Sequence, residues 1–318
     1  MGELTTGLTA EYQRDGIFRI LALDGGGAKG FYTLGVLKEI EGMLKCPLYK
    51  RFDLVFGTST GAIIASLIAL GYEIDEIHNL YKTHVPSVMA KSFPSSRSAE
   101  LSKLAKEVFG DRSFEDVKTR IGIVTTRWMT EKPMIFKGSI EQAHGRQGTF
   151  IPGFGVSIAD AVQASCSAYP FFKRKIVNTA TGDKIELLDG GYCANNPTLY
   201  AIAEAVSGLQ KERKDIRAVN VGVGIYPEPK PSFKMRIARN LVSVQLLQKT
   251  LEINTQSMDQ LREVLFKDVT TIRISDTFDQ PELATDLLEH DLDKLNLLRQ
   301  RGRESFAARE AQLKNILL

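Results

Sequence analysis

The sequence is poor in the residues that build metal and disulfide chemistry. Its three cysteines, Cys46, Cys166 and Cys193, are odd in number and share no metal-ligand spacing. That excludes a disulfide framework and points to reduced thiols in a cytosol. The four histidines, His78, His84, His144 and His290, belong to no metal motif. No apolar run reaches the roughly 18 residues of a membrane span, and Met1 to Asp15 is too polar for a secretory leader. Met1-Gly2-Glu3-Leu4-Thr5-Thr6 meets only the loose myristoylation pattern. A net charge of +3 is too small to imply DNA or RNA polymers as partners. Internal repeats and low-complexity tracts are absent. What remains is a chain of 318 residues, 43% hydrophobic and 25% charged, which is ample for one large core.

Glycine is where the sequence becomes specific. Phe52 to Phe56 reads as a short buried strand and Ala62 to Leu70 as a buried helix. Between them lies Gly57-Thr58-Ser59-Thr60-Gly61, a Gly-x-Ser-x-Gly turn. So tight a turn needs small residues on either side of the serine. It also sets Ser59 at a helix N-terminus, where the dipole favours developing negative charge. Ser59 is the candidate nucleophile.

An earlier elbow, Asp24-Gly25-Gly26-Gly27-Ala28-Lys29-Gly30, follows the strand-like run Ile17–Leu23 and opens an amphipathic helix. Gly25, Gly27 and Gly30 fit the G-x-G-x-x-G dinucleotide fingerprint, and Asp53 lies at a suitable distance downstream. Asp53, however, opens the second strand, whereas a ribose-reading acid closes it. The other reading is an oxyanion hole in which Gly25, Gly26 and Gly27 let backbone N–H groups approach a tetrahedral oxyanion. Asp24, directly before the glycines, is assigned to bracing this loop. A third stretch, Asp189-Gly190-Gly191, supplies a carboxylate that could act as base. A triad can be written as Ser59, Asp189 and His290, but His290 falls in a polar segment that reads as a solvated helix.

Taken in order, DGGGAKG, GTSTG and DGG resemble the patatin-like phospholipase family. Ala164 to Phe172 (ASCSAYPFF) is similar to that family's small-residue helix ending, Asn195-Asn196-Pro197 follows the DGG as in many members, and Val219–Gly224 resembles a later core strand. The similarity runs from about Ile17 to Gly224. It implies an α/β three-layer fold, with a central, mostly parallel sheet flanked by helices. It implies a Ser59–Asp189 catalytic dyad, no metal or other cofactor, and membrane phospholipid as substrate. Lys29 departs from the arginine usual in the glycine loop. It lacks the planar fork of arginine and reads equally as loop support or as a phosphate contact. Pro281 to Phe306 resembles stand-alone bacterial patatins of anti-phage (CBASS) systems. That likeness implies a cyclic dinucleotide as allosteric activator, homo-oligomer formation on activation, and a cytoplasmic enzyme that sits at the inner membrane when active. A non-lipid esterase or thioesterase, and a non-catalytic dinucleotide-binding module, are the alternatives.

The organisation expected is one domain over 1–318, with a catalytic core at about 16–226 and a mainly helical C-terminal lobe at about 231–318. A helical stretch from Ile74 to Gly110 is expected to break in a mobile loop at Ser92–Ser98. Hairpins are expected at Ile121–Lys137 and Phe172–Leu188, the second delivering Asp189. Helices at Ser232–Lys267 and Pro281–Leu318 bracket a strand at Thr270–Ile274. Lys173-Arg174-Lys175 and Phe233–Arg239 are basic clusters that could meet an anionic bilayer.

Overall fold

The computed structural model describes residues 16–229 and 240–318, the side chains of 240–244 excepted. Met1–Thr6 and the basic cluster Phe233–Arg239 therefore lie outside the described residues. In chain order the elements are β1 (Phe18–Leu23), α1 (Gly30–Leu44), β2 (Leu54–Thr58), α2 (Thr60–Leu70), α3 (Ile74–Met89) and α4 (Pro94–Phe109). Next come β3 (Arg120–Arg127), β4 (Pro133–Lys137), α5 (Ile158–Ser165), β5 (Lys175–Asn178), β6 (Lys184–Asp189), α6 (Gly191–Ala194) and α7 (Thr198–Ala203). β7 (Ile216–Val221), α8 (Asn240–Leu265), β8 (Thr270–Ile274), α9 (Leu292–Ala307) and α10 (Glu310–Leu317) complete the chain.

The strands form one sheet in the order β5-β6-β3-β2-β1-β7-β8, with β4 also on β3. β1, β2, β3, β7 and β8 run parallel, while β4 and β6 run against β3. This is the mostly parallel sheet flanked by helices that the family resemblance implied. Every residue of β1 and β2 is buried, because helices cover both faces of a parallel sheet; hence the unbroken apolar runs. α2 is buried over almost its whole surface, which explains why it reads as apolar all round.

The C-terminal segment is woven into this body. β8 pairs with β7 and extends the sheet. α9 lies on α1 at a close crossing. A Cβ at Gly35 would strike the Arg299 carbonyl oxygen, and one at Gly302 would strike that of Tyr32.

Two expectations need correction. The break between α3 and α4 covers 90–93, not Ser92–Ser98, because Pro94 serves as the first helical residue of α4. Ser95–Ser98 therefore form the first turn of α4. The expected helix from Pro281 begins only at Leu292. Before it, acidic side chains bind nearby amides: Asp286 accepts from Leu288 at 2.8 Å, Glu289 from His290 at 2.9 Å, and Asp291 from Asp293 at 2.9 Å. Such local bonds compete with helix, and Asp291 becomes the N-cap of α9. His290 is thus an exposed loop residue, not a helical one.

Candidate active site

Strand register brings Ser59 and Asp189 together. β4 occupies one edge of β3 along Gly122–Thr126. On the other edge β2 pairs up to Thr58 opposite Val124, and β6 begins its pairing with Asp189 opposite Thr125. β2 runs with β3 and β6 against it, so their C-terminal ends meet head-on. Ser59 and Asp189 are the residues at that meeting point, although 130 positions separate them in sequence (189 − 59).

The serine turn is sterically locked. Ser59 has φ 53° and ψ −121°, a conformation that costs on the order of 1–3 kcal/mol and persists only where its surroundings impose it. The surroundings are backbone. A Cβ at Gly57 would overlap the Gly61 carbonyl, and one at Gly61 that of Leu23. The Ser59 amide donates to Ser165 Oγ at 2.9 Å, and that hydroxyl donates to the Val124 carbonyl at 2.6 Å. Thr58 Oγ1 donates to the Ala194 carbonyl at 2.7 Å, tying α6 to the same turn.

Asp189 is 2% exposed. Burial pushes its carboxyl up to about 7, while hydrogen bonds from the Gly191 amide, at 2.7 Å, and from the Ser59 side chain pull it down. Cys166 lies beside the pair, but burial, reinforced by the Asp189 charge, pushes its thiol well up. It is therefore a poor nucleophile. Among the described residues no imidazole is bonded to Asp189. His78 packs edge-on against Phe31, and burial lowers it to about 4. His144 binds Glu204 at 2.7 Å.

The glycine loop lies beside Ser59, and its three amides have different fates. That of Gly25 is spent on the Asn195 carbonyl at 2.9 Å. Those of Gly26 and Gly27 have no hydrogen-bond partner among the described residues. Ala28 donates to the Leu287 carbonyl at 3.1 Å. Gly27 has φ +59°, and a Cβ there would collide with that same carbonyl. Asp24 faces away from Ser59, its carboxylate held by Asn220 Nδ2 at 2.7 Å and Arg273 at 2.9 Å. Asp53 lies at the opposite end of the strands, accepting from the Arg19 amide at 2.7 Å. It is therefore far from the crevice where a dinucleotide ribose would sit.

Ser59 and Asp189 open onto a cavity of about 110 Å³ whose walls are almost wholly apolar. Ile63 and Leu67 of α2, Leu80 of α3, Leu104 of α4 and Phe171 line it, together with Leu287. Lys29 lines a separate polar cavity behind the glycine loop. Among the described residues no group of three or more His, Cys, Asp or Glu is placed to hold a metal ion, and no helix is long and apolar enough to cross a membrane. Of the basic cluster, Arg174 pairs with Glu186 at 3.1 Å and stacks on Trp128, and Lys175 pairs with Asp160 at 2.6 Å, leaving Lys173 exposed.

The family model described as patatin-like phospholipase matches residues 21–202, more than half of the chain. The chain belongs to the patatin-like phospholipase family. It is 74% identical over 311 residues to a cUMP-AMP-activated phospholipase of Escherichia coli, a match covering 98% of this chain and 97% of that protein. It is 27% identical over 234 residues to a cGAMP-activated phospholipase of Vibrio cholerae serotype O1, covering 64% of this chain and 63% of the other. Among solved structures, VipD from Legionella pneumophila superposes with a TM-score of 0.51 at 14% identity, over 95% of this chain and 67% of that one; at that identity the likeness concerns the fold. In this patatin, Ser165, Asn195 and Leu287 surround the motif residues without belonging to the serine or DGG signatures, and Thr58 inside the serine signature ties it to α6. Asn195 could have been suspected from the Asn195-Asn196-Pro197 run. Ser165 lies in the Ala164–Phe172 run and Leu287 in Pro281–Phe306, but nothing in either run marks the residue as a partner of the site.

Proposed function

We propose that this protein is a serine lipid acyl hydrolase, a phospholipase that cleaves fatty-acyl esters of membrane phospholipids through Ser59 and Asp189. The observation that carries this reading is that Ser59 and the buried carboxyl of Asp189 line the same apolar cavity at the meeting of two strand ends, where burial raises that carboxyl. The Asp189 carboxylate takes the Ser59 proton as Oγ attacks the ester carbonyl. The free amides of Gly26 and Gly27 receive the oxyanion. Collapse expels the lysolipid alcohol, which takes the proton back from Asp189. Asp189 then deprotonates a water that releases the fatty acid from the acyl-serine. A carboxylate in water is too weak a base for an alcohol; burial strengthens it.

The close relative named for its activation by cUMP-AMP supports gating of this chain by a cyclic dinucleotide. Gating also meets a physical need, since an ungated phospholipase in the cytoplasm attacks its own host's membrane. Anti-phage defence, assembly of several copies on activation, and a cytoplasmic enzyme that docks peripherally at the inner membrane belong to the same reading. Exposed Trp128, Met129 and Tyr169, close to the cavity-lining Phe171, suit a bilayer surface. The test is fatty-acid release from mixed-lipid vesicles with and without cUMP-AMP. Silence toward vesicles in both conditions, with turnover of short-chain esters or thioesters, would replace phospholipids as substrate. Failure of Ser59 to label with a fluorophosphonate under any condition would leave a binding module.

A further inference from the structure

The geometry points to the polar cavity behind the glycine loop as the site of the activating cyclic dinucleotide, an assignment that rests on the gating proposed above. This cavity, about 120 Å³ in this structure, lies back to back with the catalytic one. Gly26, Asn195, Leu251 and Leu287 line both. The two chambers differ in chemistry. The second carries three carboxylates, Asp24, Glu228 and Glu252, and three cations, Lys29, Lys249 and Arg273. Such a lining rejects an acyl chain and suits a ligand bearing both phosphates and the N–H edges of bases.

The cation count narrows the phosphate contact. Lys249 is paired with Glu228 at 2.8 Å and Arg273 with Asp24 at 2.9 Å. Lys29 alone of the three has no ion pair among the described residues, and burial holds its ammonium below its usual range. Residues of the same wall also hold unspent polar groups. Tyr226 OH, Thr285 Oγ1 and Asn195 Oδ1 are buried with no hydrogen-bond partner among the described residues. Leaving a buried polar group unpaired is unfavourable. A rearrangement that gave them partners on a ligand would recover part of that cost.

The wall is also the coupling device. On one side Thr285 donates to the Pro227 carbonyl at 3.1 Å, and two residues on Leu287 accepts from Ala28 at 3.1 Å. On the other, Asn195 donates through Nδ2 to Thr255 Oγ1 at 2.7 Å and to the Gly25 carbonyl at 3.3 Å. The glycine loop thus hangs between two walls of the polar cavity. A dinucleotide that widens the cavity must shift Leu287 or Asn195, and with them the Gly26 and Gly27 amides. A ligand that binds the shifted arrangement better then biases the oxyanion hole toward its working form.

The test uses the full chain with cUMP-AMP as the probe. Gln248, half-buried on α8, lines only the polar cavity, so Gln248→Trp fills it without touching the catalytic chamber. Tyr226→Phe and Thr285→Val each delete one hydroxyl with little change of shape. Binding is read by calorimetry, folding by thermal melting, and movement of the wall by hydrogen exchange at 25–29 and 285–288. The expected result is a loss of cUMP-AMP affinity of at least tenfold in Gln248→Trp, with a smaller loss in the hydroxyl deletions. Melting should be unchanged, and the exchange changes that cUMP-AMP produces at both segments in wild type should need at least tenfold more ligand in Gln248→Trp. Full affinity and activation in a folded Gln248→Trp would overturn the site while leaving the phospholipase reading standing. No binding of cUMP-AMP by wild type, with vesicle hydrolysis intact, would overturn the gating and this site with it.

Discussion

The two glycine-rich elbows are neighbours in space but are held in opposite ways. The serine elbow is fixed by close backbone packing: Gly57 against Gly61, Gly61 against Leu23, and the end of β2 butted against the end of β6. The glycine loop is close-packed too, Gly26 on the Val223 side chain and Gly27 on the Leu287 carbonyl, but these neighbours lie far along the chain. It hangs on hydrogen bonds to two distant segments, through the Asn195 carbonyl and the Leu287 carbonyl. The difference indicates where control can act. A nucleophile locked by core sterics cannot be tuned without unfolding, whereas a loop suspended from movable segments can be displaced by small rearrangements. Catalytic power should therefore be concentrated at the serine elbow and adjustability at the glycine loop.

The harshest way to break this comparison is at the serine. Ser59→Ala is expected to reduce vesicle hydrolysis by on the order of 10⁶-fold, the scale seen when a catalytic nucleophile is removed. The melting temperature should hold or rise, because alanine leaves the turn's packing intact. Residual hydrolysis near the wild-type rate would remove Ser59 from the chemistry.

Next in size is Asp189→Asn, with an expected loss of about 10²–10⁴-fold in activated turnover. Wild-type activity should climb with pH toward 7 and level off above it, because only the carboxylate form accepts the serine proton. The stability consequence has a definite sign. The folded carboxyl titrates near 7 against an ordinary value of 3.8, so the folded state holds an extra proton between these limits. Stability is lost as pH rises through that window. Asp189→Asn should thus be more stable than wild type by a few kcal/mol at pH 8 and nearly equal to it at pH 4. His290→Ala should leave the rate unchanged. If instead His290→Ala lost ~1000-fold, an imidazole would be the base.

A smaller and more telling effect is expected from Gly27→Ala. It forces a methyl group onto a left-handed residue and into the Leu287 carbonyl, and should cut turnover by roughly 10²–10³-fold while sparing vesicle binding. Parallel loss of binding and turnover would assign this loop to substrate capture.

These contrasts also show what a linear sequence can carry. The two elbows and the Asp189 turn were legible because each is a dense run of glycines whose spacing reports backbone geometry. The parallel core was legible because strands covered on both faces need unbroken apolar runs. The supports were not. Ser165 meets Ser59 across 106 positions, and Leu287 meets Ala28 from the far end of the chain. Neither contact leaves a local pattern. The segment before α9 looked helical by composition, yet Asp286, Glu289 and Asp291 spend their carboxylates on nearby amides and hold it open. That opening is what lets Leu287 reach the glycine loop.

The finest test of the comparison is Ser165→Ala. The hydroxyl of Ser165 accepts from the Ser59 amide and donates to the Val124 carbonyl, and its loss leaves a buried donor unpaired. That should cost about 1–3 kcal/mol of stability. If the serine elbow is positioned by backbone contact, the same change should lower turnover less than tenfold, because Gly57, Gly61 and the meeting of β2 with β6 still dictate where Oγ stands. The matching change at the other elbow, Asn195→Ala, removes the side-chain bonds to Gly25 and Thr255. It should cost comparable stability but a larger share of nucleotide-stimulated activity. Measuring melting temperature and activated kcat for both variants separates the two kinds of support. A fall of more than a hundredfold in kcat for Ser165→Ala, at unchanged melting temperature, would mean that the serine too hangs on a hydrogen bond. The division between a locked nucleophile and an adjustable oxyanion loop would then be gone.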